Sequence, residues 1–340
     1  MPSLPELHVN RALTDMSIAY RNESFIADMV APPIPVQKRS DLYFVYNPAT
    51  FLRGGGTDVS GRSVAIRRPG TVANTIDYDV STSPFNCEQL AERVFVPWAD
   101  IRIADNPLDP KIDANIVAND TLRLANETQV ANLVGAISNY ASANQVSLTT
   151  GATGTSWAQY ASANSNPFLN IENGRIAIFK GLVKAANAIL FSIETALVLA
   201  DHPNYKDLYK FTSVDGMTRG QLVSNIRGLD VLIGEQQATT SAEGAATVTT
   251  GSLWVGSDGN PDAVIYYRNA SVGPRTVQSF RTFDAPDDRT GAIGFNTIEY
   301  TSDERDGIFI ETRVTRDYKA IGVNTSNQIV GAYMIADATV

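Results

Sequence analysis

Three prolines, Pro32, Pro33 and Pro35, sit inside the stretch FIADMVAPPIPVQKRSDLY at 25–43. No other feature limits the fold as strongly. Each proline fixes φ and removes a backbone donor, so the stretch cannot be an inner strand of a sheet. Ile34 and Val36 nevertheless give it apolar side chains to bury. Residues 1–40 therefore read as an extended arm with one short helical piece. An arm with no partner of its own must lie on another surface, and in an assembling protein that surface is a neighbouring subunit.

Composition removes several function classes. The chain has 340 residues, 44% of them hydrophobic, enough for a large core. Only 19% are charged, below the usual quarter, so Asn, Ser, Thr, Gly and Ala make up much of the surface. Such a surface suits extensive protein–protein contact. The net charge of −9 argues against a nucleic-acid reader, which carries a basic patch. It is compatible with a wall that encloses DNA, where like charge keeps the nucleic acid from sticking. No apolar run is long enough for a membrane span, and the N-terminus does not read as a signal peptide. The expected compartment is the cytoplasm of whatever cell makes it.

Candidate chemistry is sparse. Cys87 has no second cysteine to pair with and reads as a buried small hydrophobe. His8 lies in the arm and His202 in the turn DHPNY, and without a His/Cys cluster no zinc site is expected. The triple glycine at 54–56 lacks the Lys and helix of a phosphate loop and reads as a hairpin tip. The acidic loops DGNPD (258–262) and DAPDDR (284–289) invite calcium but lack EF-hand spacing. No catalytic residue, metal or cofactor is expected.

Residues 41–97 alternate like a long β-hairpin, with LYFVYN leading out and SVAIRRPGTVANTIDYDVS leading back. Asp109 and Pro110 open a long helix predicted over 109–140. Ile112, Ile116, Val117, Leu124, Val130, Ala131 and Val134 share one of its faces, which Asp120, Arg123 and Glu127 interrupt. A second helix is predicted over Glu172–Ala188, with Ile176, Phe179, Val183 and Ala186 as its core side. Beyond it, ILFSI, LDVLIGE, LWVG and AVIYYR read as strands, and DHPNYKDLYKF and RGQLVSNIRG as short helices. NTIEYTSDERDGIFIETRVTRDYKAI reads as a β-hairpin turning at 303–307, and IVGAYMIADATV as a terminal strand.

The order of these parts resembles the tailed-phage major capsid proteins of the Hong Kong 97 fold. FIADMVAPPIPV is similar to the end of that family's N-terminal arm, and Tyr43–Val96 to its extended loop. Asp109–Tyr140 is similar to its spine helix, and Phe280–Ile321 to its long strands. DHPNYKDL with LDVLIG and the tail VGAYMIAD is similar to its axial domain. The resemblance implies an α+β fold with arm 1–42, extended loop 43–97, peripheral domain 98–187 and 276–322, and axial α/β domain 188–275 and 323–340. It implies a virion shell subunit that assembles into pentamers and hexamers around double-stranded DNA, without catalysis. A portal, a separate scaffolding protein and non-specifically packaged DNA are the implied partners. Since 43–97 holds no lysine, the Lys–Asn cross-links of some members are not expected. Candidate subunit contacts are Arg53, Arg67 and Arg68 on the extended loop and Glu304, Arg305 and Asp306 at the hairpin turn. An encapsulin-type storage shell is the alternative on the same fold. A soluble α/β enzyme or carbohydrate-binding protein is the alternative from another class.

Overall fold

The computed structural model describes residues 25–46, 65–67, 69–73, 80–104, 109–148, 155–209, 224–239, 241, 247–269, 276–324 and 326–339. They build two large sheets bridged by one long helix, with two further two-stranded pairs. In the first sheet, β14 (Gly307–Ala320) is the central strand. One side of it pairs antiparallel with β4 (Glu88–Pro97). The other side pairs with β13 (Asn296–Ser302) and then β12 (Phe280–Asp284). The short β1 (Pro33–Pro35) adds in parallel to β12. Proline confines that segment to an edge, as its composition requires. Its partner, however, is the chain's own β12 rather than a neighbour, because Ile34 buries there. Ahead of β1, Ala27–Val30 form a single helical turn, α1.

The hairpin is shorter than its alternation implied. β2 (Ser40–Tyr46) pairs with β3 (Val80–Asn86), and Tyr43 and Phe85 pack on Phe283. After Cys87 the chain leaves the hairpin and runs along β14 as β4. Alternation alone cannot distinguish these two pairings, since both are antiparallel with the same period. A short helix, α2 (Trp98–Ile103), follows β4.

The long helix, α3, spans Pro110–Gly135, with Asp109 accepting from the Lys111 N–H at 3.0 Å and Pro110 opening the first turn. It stops five residues before the predicted end. A side chain at Gly135 would meet the Val255 carbonyl oxygen at 2.6 Å, and Tyr140 turns back to donate its hydroxyl to the Val134 carbonyl. The buried face also differs from the predicted one. Ala114, Ala118, Leu122, Asn126 and Glu127 are buried, whereas Ile112 and Val117 are exposed. Small residues let the helix lie close on β14 and β4.

The second sheet runs β5 (Gln145–Ser147), β15 (Ala332–Ala336), β11 (Ala263–Tyr266), β6 (Ala188–Ser192), β8 (Leu229–Gly234) and β7 (Asn225–Ile226). Its faces alternate with period two. Leu190, Val264, Tyr266 and Met334 join Val130 and Val134 of α3, Phe280 of β12 and the α1 turn in one core. Ile189, Phe191, Ile265 and Ile335 face the opposite way. There they meet α4 (Pro167–Leu182), α5 (Ile193–Asp201) and α6 (Pro203–Tyr209).

Several predicted elements move. α4 starts five residues early, because Asn166 caps it at the Leu169 N–H and Pro167 opens it. It ends at Val183, whose φ of 56° is left-handed, so Ala188 is free to begin β6. The predicted helix RGQLVSNIRG is, in its described part, the β7–β8 hairpin. Arg227 and Gly228 both have positive φ there, and the Asn225 side chain accepts from the Gly228 N–H. The strand near LWVG is β10 (Thr250–Ser252), just before it, pairing with β9 (Gln237–Thr239). β5 and α4 pack on the second sheet.

Candidate assembly surfaces

The turn predicted to make subunit contacts lies between β13 and β14. Glu304, Arg305 and Asp306 are all exposed there. Asp306 has φ 50° and its carbonyl accepts from the Trp98 N–H, so the turn is fixed to the start of α2. Arg305 stands 5.9 Å from the Phe309 ring centroid, and Arg93 stands over the same ring at 4.8 Å. Phe309 stacks on Tyr300, whose hydroxyl donates to Glu311 at 2.9 Å. The hydrogen bond from Arg313 holds the Glu311 carboxyl below its usual range. The turn is therefore a rigid charged corner on an aromatic and cationic ledge. Arg67 is exposed and donates to the Thr71 carbonyl at 2.6 Å, whereas Arg53 and Arg68 lie outside the described residues.

The arm is held by a polar clasp that sequence reading missed. Glu127, fully buried in α3, accepts from the Ile26 and Ala27 N–H groups at 2.9 Å each and from the Trp254 indole at 2.9 Å. Burial raises its pKa, while those three donors pull the other way. Arg316, equally buried in β14, donates to Asp28, to Asn126 and to Asp284 at 2.8, 3.0 and 3.2 Å. Burial raises Asp284 and Arg316 opposes it. Glu127 was legible only as an interruption of an apolar face. Its partners lie about a hundred residues away on either side, where no local pattern reaches.

Among the described residues, apolar surface is open in at least two places. One is a groove at the foot of the β2–β3 hairpin, lined by Pro35, Val36, Leu42 and Phe44. The other runs along α4, where Ile176 and Phe179, predicted as core, are 53% and 56% exposed. The signal in the sequence was present: α4 is apolar on more than one side.

The Cys87 thiol is buried against the Phe283 carbonyl, and burial pushes it up to about 11. His202 accepts the Asn204 N–H on Nδ1 and lies 3.2 Å from the Ser165 hydroxyl on Nε2. Burial lowers its pKa. His8 lies outside the described residues. In the two acidic loops, Asp258 ties to Asn260 and Asp287 to Thr290. Among the described residues no group of three or more acids, histidines and cysteines is placed to hold a metal, and no helix is long and apolar enough to cross a membrane.

Two sheets, a long helix laid on the first of them, a proline-edged arm and a hairpin define the Hong Kong 97 capsid fold. The structure of a phage-related protein of Bordetella bronchiseptica matches at a TM-score of 0.64, with 18% identity and 96% of each chain covered. The capsid of Cyanophage P-SCSP1u matches at 0.59, with 11% identity over 95% of this chain and 90% of that one. The same fold occurs in the SrpI encapsulin of Synechococcus elongatus, at 0.52 and 10% identity over 96% of this chain and 95% of that one. By sequence, the chain is 26% identical over 238 residues to the major capsid protein of Pseudomonas phage JBD67, covering 69% of this chain and 71% of that protein. No family model matches. The solved structures show the Hong Kong 97 fold, and the sequence is similar to that of a phage major capsid protein.

Proposed function

We propose that copies of this chain gather into pentamers and hexamers and close an icosahedral head around double-stranded DNA. The observation that carries this reading is the open apolar stripe on α4, which a solitary protein would bury. The net charge of −9 suits an inner wall that does not adsorb DNA. The chain works without catalysis, in the virion, after assembly in the host cytoplasm. A portal and a separate scaffolding protein complete the head. The loop from 43 and the 303–306 turn reach neighbouring subunits, with Arg53, Arg67, Arg68, Glu304, Arg305 and Asp306 as contacts, while the arm at 26–36 is held on its own chain. The first sheet with α3 forms the peripheral part and the second sheet with α4 to α6 the axial part.

Sedimentation and negative-stain microscopy of the purified chain test the reading. Capsomers, tubes or shells are expected. A monomer at every concentration, with and without co-expressed neighbouring genes, would refute it. Shells that carry an enzyme cargo and no DNA would favour the encapsulin reading on the shared fold.

A further inference from the structure

Helix α4 is apolar on two opposite faces. Ile171, Gly174, Ile178 and Leu182 point into the second sheet's core and are buried. Leu169, Ile176 and Phe179 fall within a stripe about 80° wide at roughly 100° per residue, on the other side, and Val183 follows at the helix end. Leu169, Ile176 and Phe179 are each more than half exposed. A surface helix normally shows a single apolar stripe toward its own core, so a second stripe left open marks a contact surface.

Charge identifies the cover. Glu172, the acid beside the stripe, is taken by Arg227. Lys180 and Lys184 at its rim have no ion-pair partner among the described residues, and Arg175 is turned to the Arg227 carbonyl. The rim is therefore basic. On the neighbouring α5–α6 pair, Leu197 and Leu208 are exposed at 49% and 45% beside Glu194, Asp201 and Asp207. Lys206 is held by Asp201 at 2.9 Å, which leaves the exposed Asp207 without an ion-pair partner among the described residues, while Glu194 is half-buried with its Oε2 covered. That surface is apolar with an acidic surplus.

We propose that the α4 stripe is the seat of a second copy of this chain, covered by the acidic outer face of that copy's α5–α6 pair. The inference rests on the reading of the chain as a shell subunit and adds which faces meet. A two-fold contact of stripe on stripe would set Lys180 and Lys184 against their own copies, and like charges across an interface oppose binding. A head-to-tail contact joins opposite charges, and repeated about an axis it closes a ring.

Replacing Phe179 with a photo-reactive benzoylphenylalanine in the full chain tests the geometry. Cross-links from 179 to residues 193–209 of another copy are expected by mass spectrometry. Cross-links to any other segment or protein, or none from assembled material, would overturn the proposal. In parallel, Lys180→Glu and Asp207→Lys should each weaken capsomer formation about tenfold, and the double variant should restore it to within about threefold. Both side chains are exposed, so the fold is retained and circular dichroism checks it. A double variant no better than the singles counts against the pairing. Failure of the unmodified chain to assemble would refute the shell reading itself, whereas assembly with cross-links elsewhere refutes only this surface.

Discussion

At the scale of single residues, burial decides chemistry more than residue type does. Asp262 shows this most clearly. Its Oδ1 accepts the Asp337 N–H at 3.0 Å, but its buried Oδ2 has no hydrogen-bond partner among the described residues. A side chain on Gly256 would meet that oxygen at 2.4 Å and Asp258 Oδ1 at 2.6 Å, so two carboxylates crowd one backbone position. Burial first, then Asp258 and Asp337, push Asp262 up to about 7. A raised carboxyl pKa favours the folded state fully below the unfolded value near 3.8, and that contribution is lost as pH rises to about 7. The chain should therefore lose about 2–3 kcal/mol between pH 5 and pH 8 from this group. Asp262→Asn should flatten that slope, as read by urea denaturation at several pH values. Cys87 makes a second prediction. With its thiol pushed up to about 11, it should resist iodoacetamide at pH 8 until the chain is unfolded, as followed by mass spectrometry.

At the scale of elements, strong local rules were legible and tertiary choices were not. Asp109 and Pro110 announced the start of α3, and DERDG announced the β13–β14 turn, because caps and turns depend on neighbouring residues. Phe179 misled for the opposite reason. Helical spacing shows that a residue shares a face, but not which of two apolar faces meets the sheet. The inner face of α4 is marked instead by Gly174, where a Cβ would stand 2.7 Å from Ile265 and 2.8 Å from Tyr333. Gly174→Ala should cost about 1–3 kcal/mol through overpacking, despite alanine's better helix propensity. A lowered urea midpoint with unchanged m-value would show it, and a stabilised variant would contradict this placement of α4. Of the candidate contacts, the turn residues 304–306 were legible as exposed charge, while the α4 stripe was hidden in a segment read as core.

At the scale of the whole molecule, the first sheet, the second sheet and the arm meet around Glu127 and Arg316. Glu127 gathers two N–H groups of the arm and the Trp254 indole, and Arg316 gathers Asp28 of the arm with Asn126 and Asp284. Glu127→Ala would strand three donors, each worth about 1–3 kcal/mol when buried without a partner. We expect a loss of about 3 kcal/mol or more in urea, and faster proteolytic cleavage within 25–36 than elsewhere. Cleavage unchanged from the parent chain would show that apolar packing of Ile26, Ala27 and Val30 holds the arm by itself.

The parallel pairing of β1 with β12 has a consequence for handling this protein in quantity. The Pro32 carbonyl and the Val36 N–H point inward, to Thr282 and Asp284. Pro33 and Pro35 alternate with them and face outward, where neither has a hydrogen to offer. A stray strand approaching that rim finds a one-sided row of carbonyls and cannot extend the ladder. Crowded, freshly made chains are thereby steered away from fibrils along this rim before any ordered shell has formed.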